Sequence, residues 1–218
     1  MIQSGKFDSF YMEIKKLANS VLIFTIKRLI EICGIVISII GFTLLIAFIS
    51  YSPTDPNFIF PEKKEIKNLL GFQGSYIADL FLQSVGLIAY LIPLTLIFSG
   101  LNIFRRKEFF LIVENSFFVV IYSLIGSLFF NIFYNESFML YINGSGGFVG
   151  SYISDFFFKN IINTYKNIFY YVLILMIISL FLLSINFNIK NFLLFTKKII
   201  KSILKNKNKN YTNKNEII

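Results

Sequence analysis

The sequence predicts an all-α integral membrane protein in which four transmembrane helices form two hairpins of like orientation, a parallel repeat. Three observations predict it: an apolar composition with few charges, four uncharged stretches of spanning length, and a thirteen-residue element that occurs twice. Of the 218 residues, 56% are hydrophobic, 18% aromatic and 15% charged, with a mean hydropathy of +0.69. Soluble domains carry about 25% charged residues. A 25.3 kDa soluble domain has too little polar surface to hide this apolar mass. Composition also excludes chemistry. With no His and one Cys, the chain cannot build a His-based zinc site, a Ser/His/Asp triad, a Cys/His dyad or a disulfide framework. Its Gly-Lys pair, Gly5-Lys6, is followed by Phe7 rather than Ser or Thr, so no Walker-type phosphate loop is encoded. No enzyme activity, cofactor, metal or catalytic residue is expected.

The N-terminal arm, residues 1–31, places Phe7, Phe10, Tyr11, Ile14, Leu17, Ala18 and Val21 at helical spacing, with Glu13, Lys15 and Lys16 off that stripe. It reads either as an interfacial helix on an anionic leaflet or as an ordinary positive flank. Crossing about 30 Å of hydrocarbon takes roughly 20 apolar residues in a helix. The stretches 32–50, 84–104, 115–134 and 168–187 meet that length without a charge, and none alternates like a membrane barrel strand. The first ends in Ile49-Ser50-Tyr51 with no small-x-small site, so it is expected to stay uncleaved. Gly34 and Gly41, seven residues apart, share a face suited to packing on a partner helix, and Pro93 is expected to kink the second span. Ser, Thr and Gly within the spans serve helix packing, and Cys33 reads as a small apolar filler. The last segment, 188–218, opens with Phe195, Ile199, Ile200 and Ile203 against Lys197, Lys198, Lys201 and Lys205, a second amphipathic helix. It closes in a Lys/Asn-rich tail too polar to bury surface, expected to be a disordered linker or solvated end with at most weak electrostatic contact to DNA.

Orientation follows from the 21 Lys and Arg. The arm has five, the connection holding Arg105-Arg106-Lys107 has three and the tail eight, against three in 51–83 and two in 135–167. Both termini are therefore expected in the cytoplasm.

The element Gly71-Phe72-Gln73-Gly74-Ser75-Tyr76-Ile77-Ala78-Asp79-Leu80-Phe81-Leu82-Gln83 recurs 76 residues later as Gly147-Phe148-Val149-Gly150-Ser151-Tyr152-Ile153-Ser154-Asp155-Phe156-Phe157-Phe158-Lys159, identical at eight of thirteen positions. Each copy ends a long loop just before a returning helix. The glycines permit loop-ending backbone, Ser75 and Ser151 are placed to cap the following helix, and Asp79 and Asp155 fall near its positive end. The alternative for the paired acids is a cation or proton path, which makes a small transporter or channel subunit the competing function.

At the exit of the first span stands Tyr51-Ser52-Pro53-Thr54-Asp55-Pro56-Asn57-Phe58, followed by Asn68-Leu69-Leu70-Gly71 and the first glycine element, then Gly86 and Pro93. This combination, with the second glycine element Gly146–Gly150, closely resembles the N-terminal four-helix membrane domain of FtsK/SpoIIIE-type DNA translocases, over roughly 32–187. Asn57 and Phe58 depart from the family's more usual Ser and aromatic residue. The resemblance implies a noncatalytic anchor of the bacterial inner membrane, multi-pass and enriched at the division septum, which tethers an ATP-driven DNA motor. No motor or Walker motif occurs within these 218 residues, so the resemblance extends to the membrane part alone, whether as a domain, a split product or a stand-alone paralogue. The implied partners are membrane lipids, further copies of the chain and other division proteins, with DNA reached through a motor outside this sequence. Tyr51, Pro53, Asp55, Pro56, Gly71, Gly74, Asp79, Gly147, Gly150 and Asp155 are the candidates for shaping those contacts or simply the loops.

Overall fold

The computed structural model describes residues 2–56, 65–134 and 143–188, with isolated helical positions at 190, 194, 197 and 201. All regular structure among them is helical. Helix α1 covers Ile2–Ile49, α2 Gly71–Val85, α3 Leu91–Arg106, α4 Leu111–Tyr134, α5 Gly147–Ile153 and α6 Lys159–Ser184. A 3₁₀ turn, Gly86–Tyr90, joins α2 to α3, and a wide π turn, Ser154–Phe158, joins α5 to α6. Four segments are long and apolar enough to cross a membrane: Met12–Ile49, Gly71–Arg106, Leu111–Tyr134 and Lys166–Ser184. Asn57, Phe58 and the Lys/Asn tail lie outside the described residues, as does most of the second amphipathic stretch. Residues 187–218 form a unit separate from 1–186.

The two-hairpin repeat is visible in the packing. Helix α1 runs antiparallel to α3, and α4 antiparallel to α6, so the order out, back, out, back puts the ends of α1 and α4 at one end of the bundle. That end, carrying Tyr51 and both glycine elements, is called the loop end below. One apolar cluster, built on Ala47, Phe48, Ala78, Leu82 and Ala89, closes the first hairpin there. A second, on Ile88, Tyr122, Phe129, Leu173 and Ile177, fills the space between α4, α6 and the 3₁₀ turn.

Close helix approach follows from small residues. An ideal Cβ on Gly34 would lie 2.7 Å from the Gly100 carbonyl oxygen, and one on Gly41 would lie 2.9 Å from the backbone nitrogen of Ile97. The helix they pack on is α3 of their own chain, where side chains would force two backbones apart. The Ser38 hydroxyl donates to the Ile97 carbonyl (3.2 Å) in the same seam.

A polar ladder joins α3, α4 and α6. Thr95 Oγ1 lies 3.0 Å from the Tyr122 hydroxyl and 3.2 Å from Ser184 Oγ. Toward the chain termini, the Asn115 amide donates to Ser99 (2.7 Å), Asn186 donates to Asn115 Oδ1 (2.6 Å), and Asn102 donates to the Ile185 carbonyl (2.8 Å). Such groups find partners because an unpaired polar group in hydrocarbon costs several kcal/mol, roughly, per group.

The second span is interrupted at a different residue from Pro93, the expected site of a kink. Regular α-helix stops at Val85, and Pro93 is the third residue of the resumed helix, inside its first turn. A first-turn position needs no intrahelical N–H, so proline fits there without breaking anything. The break belongs to Gly86, whose φ of +74° admits glycine most readily.

Candidate functional site

The loop end is organised by the run Tyr51–Pro56. Its two prolines cannot continue α1 and fix the chain in a turn, in which the Asp55 N–H donates to the Ser52 carbonyl (3.1 Å). Pro53 is half-buried and Pro56 buried. The turn swings the Asp55 carboxylate inward, where it is 4% exposed. Its two oxygens accept the backbone N–H groups of Lys67 (3.0 Å) and Asn68 (2.8 Å). Asn68, equally buried, donates its amide to the Ala47 carbonyl (2.8 Å) and accepts the Leu70 N–H (3.0 Å). Ala47 lies in the last turn of α1, where carbonyls lack helical partners, and Leu70 immediately precedes α2. One side chain therefore satisfies the end of one helix and the start of the next. Ser50 Oγ accepts the Leu69 N–H (3.2 Å), and the Ser75 hydroxyl donates to the Pro56 carbonyl (3.2 Å).

Below this knot, the Tyr51 hydroxyl donates to Asp79 Oδ1 (2.9 Å), and the Gln83 amide approaches the same oxygen at 3.5 Å. Tyr90 donates to the Phe48 carbonyl (3.0 Å). Burial, then the hydrogen bond to Asp79 and its negative charge, push the Tyr51 phenol well above its ordinary value.

The two glycine elements adopt the same entry geometry. Gly71 has φ +66° and Gly147 φ +65°, and each is the first residue of its helix. Each element then stacks its own aromatic pair at one interplanar angle: Phe72 on Tyr76 (6.3 Å, 25°) and Phe148 on Tyr152 (6.1 Å, 25°). Helix α2 packs on α5, so the copies meet. The meeting is tight. The Leu87 N–H donates to the Ser145 carbonyl (2.9 Å), and a Cβ on Gly147 would stand 2.5 Å from the Gly86 nitrogen. Gly150 lies against the backbone of Ser127, whose hydroxyl donates to the Gly146 carbonyl, while Gly74 lies against Asn68 and Leu70.

Three local expectations change. Ser75 and Ser151 cap nothing, because the helices already begin four residues earlier; Ser151 instead donates back to Phe148 (2.9 Å). Asp79, the ninth residue of α2, lies beyond the first turn, held by Tyr51 rather than by the helix end. Asp155 sits exposed on the π turn. The matched acids therefore occupy unlike environments, which removes the pairing that motivated an ion path.

Sequence reasoning singled out neither Asn68 as a linchpin nor the exposed aromatics. Phe72, Tyr76, Phe148 and Tyr152 are identical between the copies, the one signal that pointed to them. Phe72, Phe148, Tyr152 and Leu69 leave apolar surface exposed at the loop end, Leu69 at 77%, while Tyr76 is half-buried. Aromatic side chains of this kind suit the lipid–water boundary or a protein partner. Among the described residues no group of three His, Cys, Asp or Glu side chains is placed to hold a metal ion.

The sequence matches the family model "4TM region of DNA translocase FtsK/SpoIIIE" over residues 26–196. It is 29% identical to the DNA translocase FtsK of Rickettsia typhi over 157 residues, covering 72% of this chain and 20% of that protein. Against the DNA translocase FtsK of Shewanella oneidensis identity is 33% over 104 residues, 47% of this chain and 11% of the relative. The Azospirillum brasilense protein of the same name is 32% identical over 87 residues, 39% and 14% of the two chains. The chain thus spans about a fifth or less of the length of these relatives. No solved structure matches it. With its four membrane-length helices in two repeated hairpins and the family match across nearly all of them, the chain belongs to the 4TM region of the FtsK/SpoIIIE DNA translocases.

Proposed function

We propose that this chain is the noncatalytic membrane anchor of a DNA translocase, which assembles with further copies and with other division proteins at the septum. The supporting observation is the family match over 26–196, which takes in the last three membrane-length helices and most of the first. The names of its relatives supply the DNA-translocating activity, and the matched region covers 20% and 11% of the Rickettsia typhi and Shewanella oneidensis proteins. In this reading the chain sits in the bacterial inner membrane with both termini in the cytoplasm. The loop end then faces outward and presents the knotted turn and the two aromatic pairs to division proteins. A motor beyond the anchor would act on DNA.

An intact N-terminal fluorescent fusion imaged in dividing bacteria tests this. A midcell band is expected. Uniform membrane signal from an intact fusion overturns the septal reading.

A further inference from the structure

We propose that the N-terminal part of α1 forms a parallel coiled coil with the same segment of a second copy, on the terminal side of the membrane. Three observations carry it. The first is spacing: Phe7, Phe10, Ile14, Leu17, Val21 and Phe24 follow each other at alternating steps of three and four residues, the 3.5-residue period of a heptad seam. Taking Ile14 and Val21 as a positions makes Leu17 and Phe24 d positions. In the stretch Ile14–Leu17–Val21, β-branched residues at a flank Leu at d, the choice that favours two parallel strands.

The second is continuity. Helix α1 runs unbroken from Ile2 to Ile49, with neither Gly nor Pro between Lys6 and Cys33 to provide a bend. A helix lying flat on the membrane surface must turn sharply before it spans, and this one does not. The third is depth. Arg28 and Lys107 both lie 2.6 Å from Glu31, and Arg105 and Arg106 stand beside them in sequence. This charged belt fixes the edge of the hydrocarbon, with the uncharged run from Ile32 on its far side. From Met12 to Lys27 the helix therefore extends about 22 Å beyond the belt, at about 1.5 Å per residue.

Along that extension the seam is bare within one copy. Ile14 is 50%, Leu17 69%, Val21 59% and Phe24 59% exposed. Off the seam stand Glu13, Lys15, Lys16, Asn19 and Ser20 together with the apolar Met12 and Ala18, while the off-seam apolar Leu22, Ile23 and Ile26 lie within about two turns of the belt, at headgroup depth. A mostly polar back between Glu13 and Ser20 and an apolar 3.5-period stripe fit a like helix better than lipid. Copies in one membrane share an orientation, so their arms meet parallel and in register, and confinement to the bilayer raises their effective concentration. This inference deepens the self-assembly part of the proposed function and rests on that reading only for the arm's lying in water.

The test is disulfide cross-linking in native membranes of the full chain, in a Cys33→Ser background. Ile14→Cys, Leu17→Cys and Val21→Cys should give disulfide-linked dimer at least about fivefold above Lys16→Cys and Asn19→Cys. Adding Leu17→Glu to the Val21→Cys chain should lower its cross-linking by about the same factor. Equal yields at all five positions, dimer at none, or indifference to Leu17→Glu overturns the coiled coil. A midcell band in the same strain with flat cross-linking removes only the coiled coil, whereas a lost band in the unsubstituted fusion removes the septal reading.

Discussion

Asp55 illustrates how a single residue sets the loop end. It is a buried carboxylate whose described hydrogen-bond partners are two successive backbone amides, those of Lys67 and Asn68. Asp55→Ala leaves both amides without their acceptor, a loss of roughly 2–6 kcal/mol at about 1–3 kcal/mol per orphaned group. Asp55→Asn keeps one acceptor oxygen and should lose about half as much. Thermal unfolding of the purified chain in detergent checks the order wild type, Asn, Ala. Tyr51 makes a second prediction, in pH. Its phenol is raised in the folded chain by burial and by Asp79, so below about pH 10 it is neutral in both states and its contribution is complete. As pH rises past the unfolded value the unfolded chain gives up its proton first, and stability falls. The slope above pH 10 should be shallower in Tyr51→Phe. The prolines of this turn are readable in sequence because they act on their own backbone. Asn68 is not, because its partner is the carbonyl of Ala47, 21 residues away, and no local pattern encodes a long-range cap.

Between elements, the deciding quantity is how near two backbones come. Gly41 meets the backbone of Ile97 and the Pro93 carbonyl, each within 2.9 Å of an added Cβ. Gly41→Leu should therefore separate α1 from α3 and cost about 1–3 kcal/mol, while Ile39→Ala, on the exposed face two residues away, should change little. Thermal stability of the two variants in detergent gives the comparison, and equal losses would contradict the packing. The seven-residue spacing of Gly34 and Gly41 revealed a packing face in the sequence but not the helix it faces. A glycine stripe looks the same whether its partner lies in the same chain or another. The second span teaches a related point. Proline looks like the breaker by composition, yet the break sits at Gly86, where the Ser145 carbonyl fills the place a Cβ would take and φ is left-handed. That carbonyl belongs to the loop just before the second glycine element, 59 residues on in sequence. The repeat was legible because identity over thirteen positions needs no knowledge of contacts. The unlike fates of Asp79 and Asp155 were not, because they depend on Tyr51, which has a partner role in one hairpin only.

Across the whole molecule, charge asymmetry and helix direction make one joint statement about sidedness. The packing places the ends of α1 and α4 together and the starts of α2 and α5 beside them, so residues 51–56, 65–70 and 143–146 emerge on one side. The other side holds the Glu31–Lys107 belt and Arg105–Arg106. Of the described residues before 187, Lys15, Lys16, Lys27, Arg28, Arg105, Arg106 and Lys107 belong to that side, and positively charged flanks are retained in the cytoplasm because moving them across the membrane during insertion is costly. A cysteine replacing Glu65, exposed near the loop end, should then react with a membrane-impermeant thiol reagent in cells whose outer barrier is permeabilised. One replacing Arg106, exposed at the other end, should react only after the inner membrane is opened. Both substitutions are made with Cys33 replaced by Ser, so the labelled thiol is unique. Because the helices alternate in direction, the two positions cannot lie on the same side without unmaking the α1–α3 hairpin. Reversed labelling would invert the chain in the membrane and place the coiled-coil arm and any motor that follows residue 218 outside the cytoplasm, away from DNA.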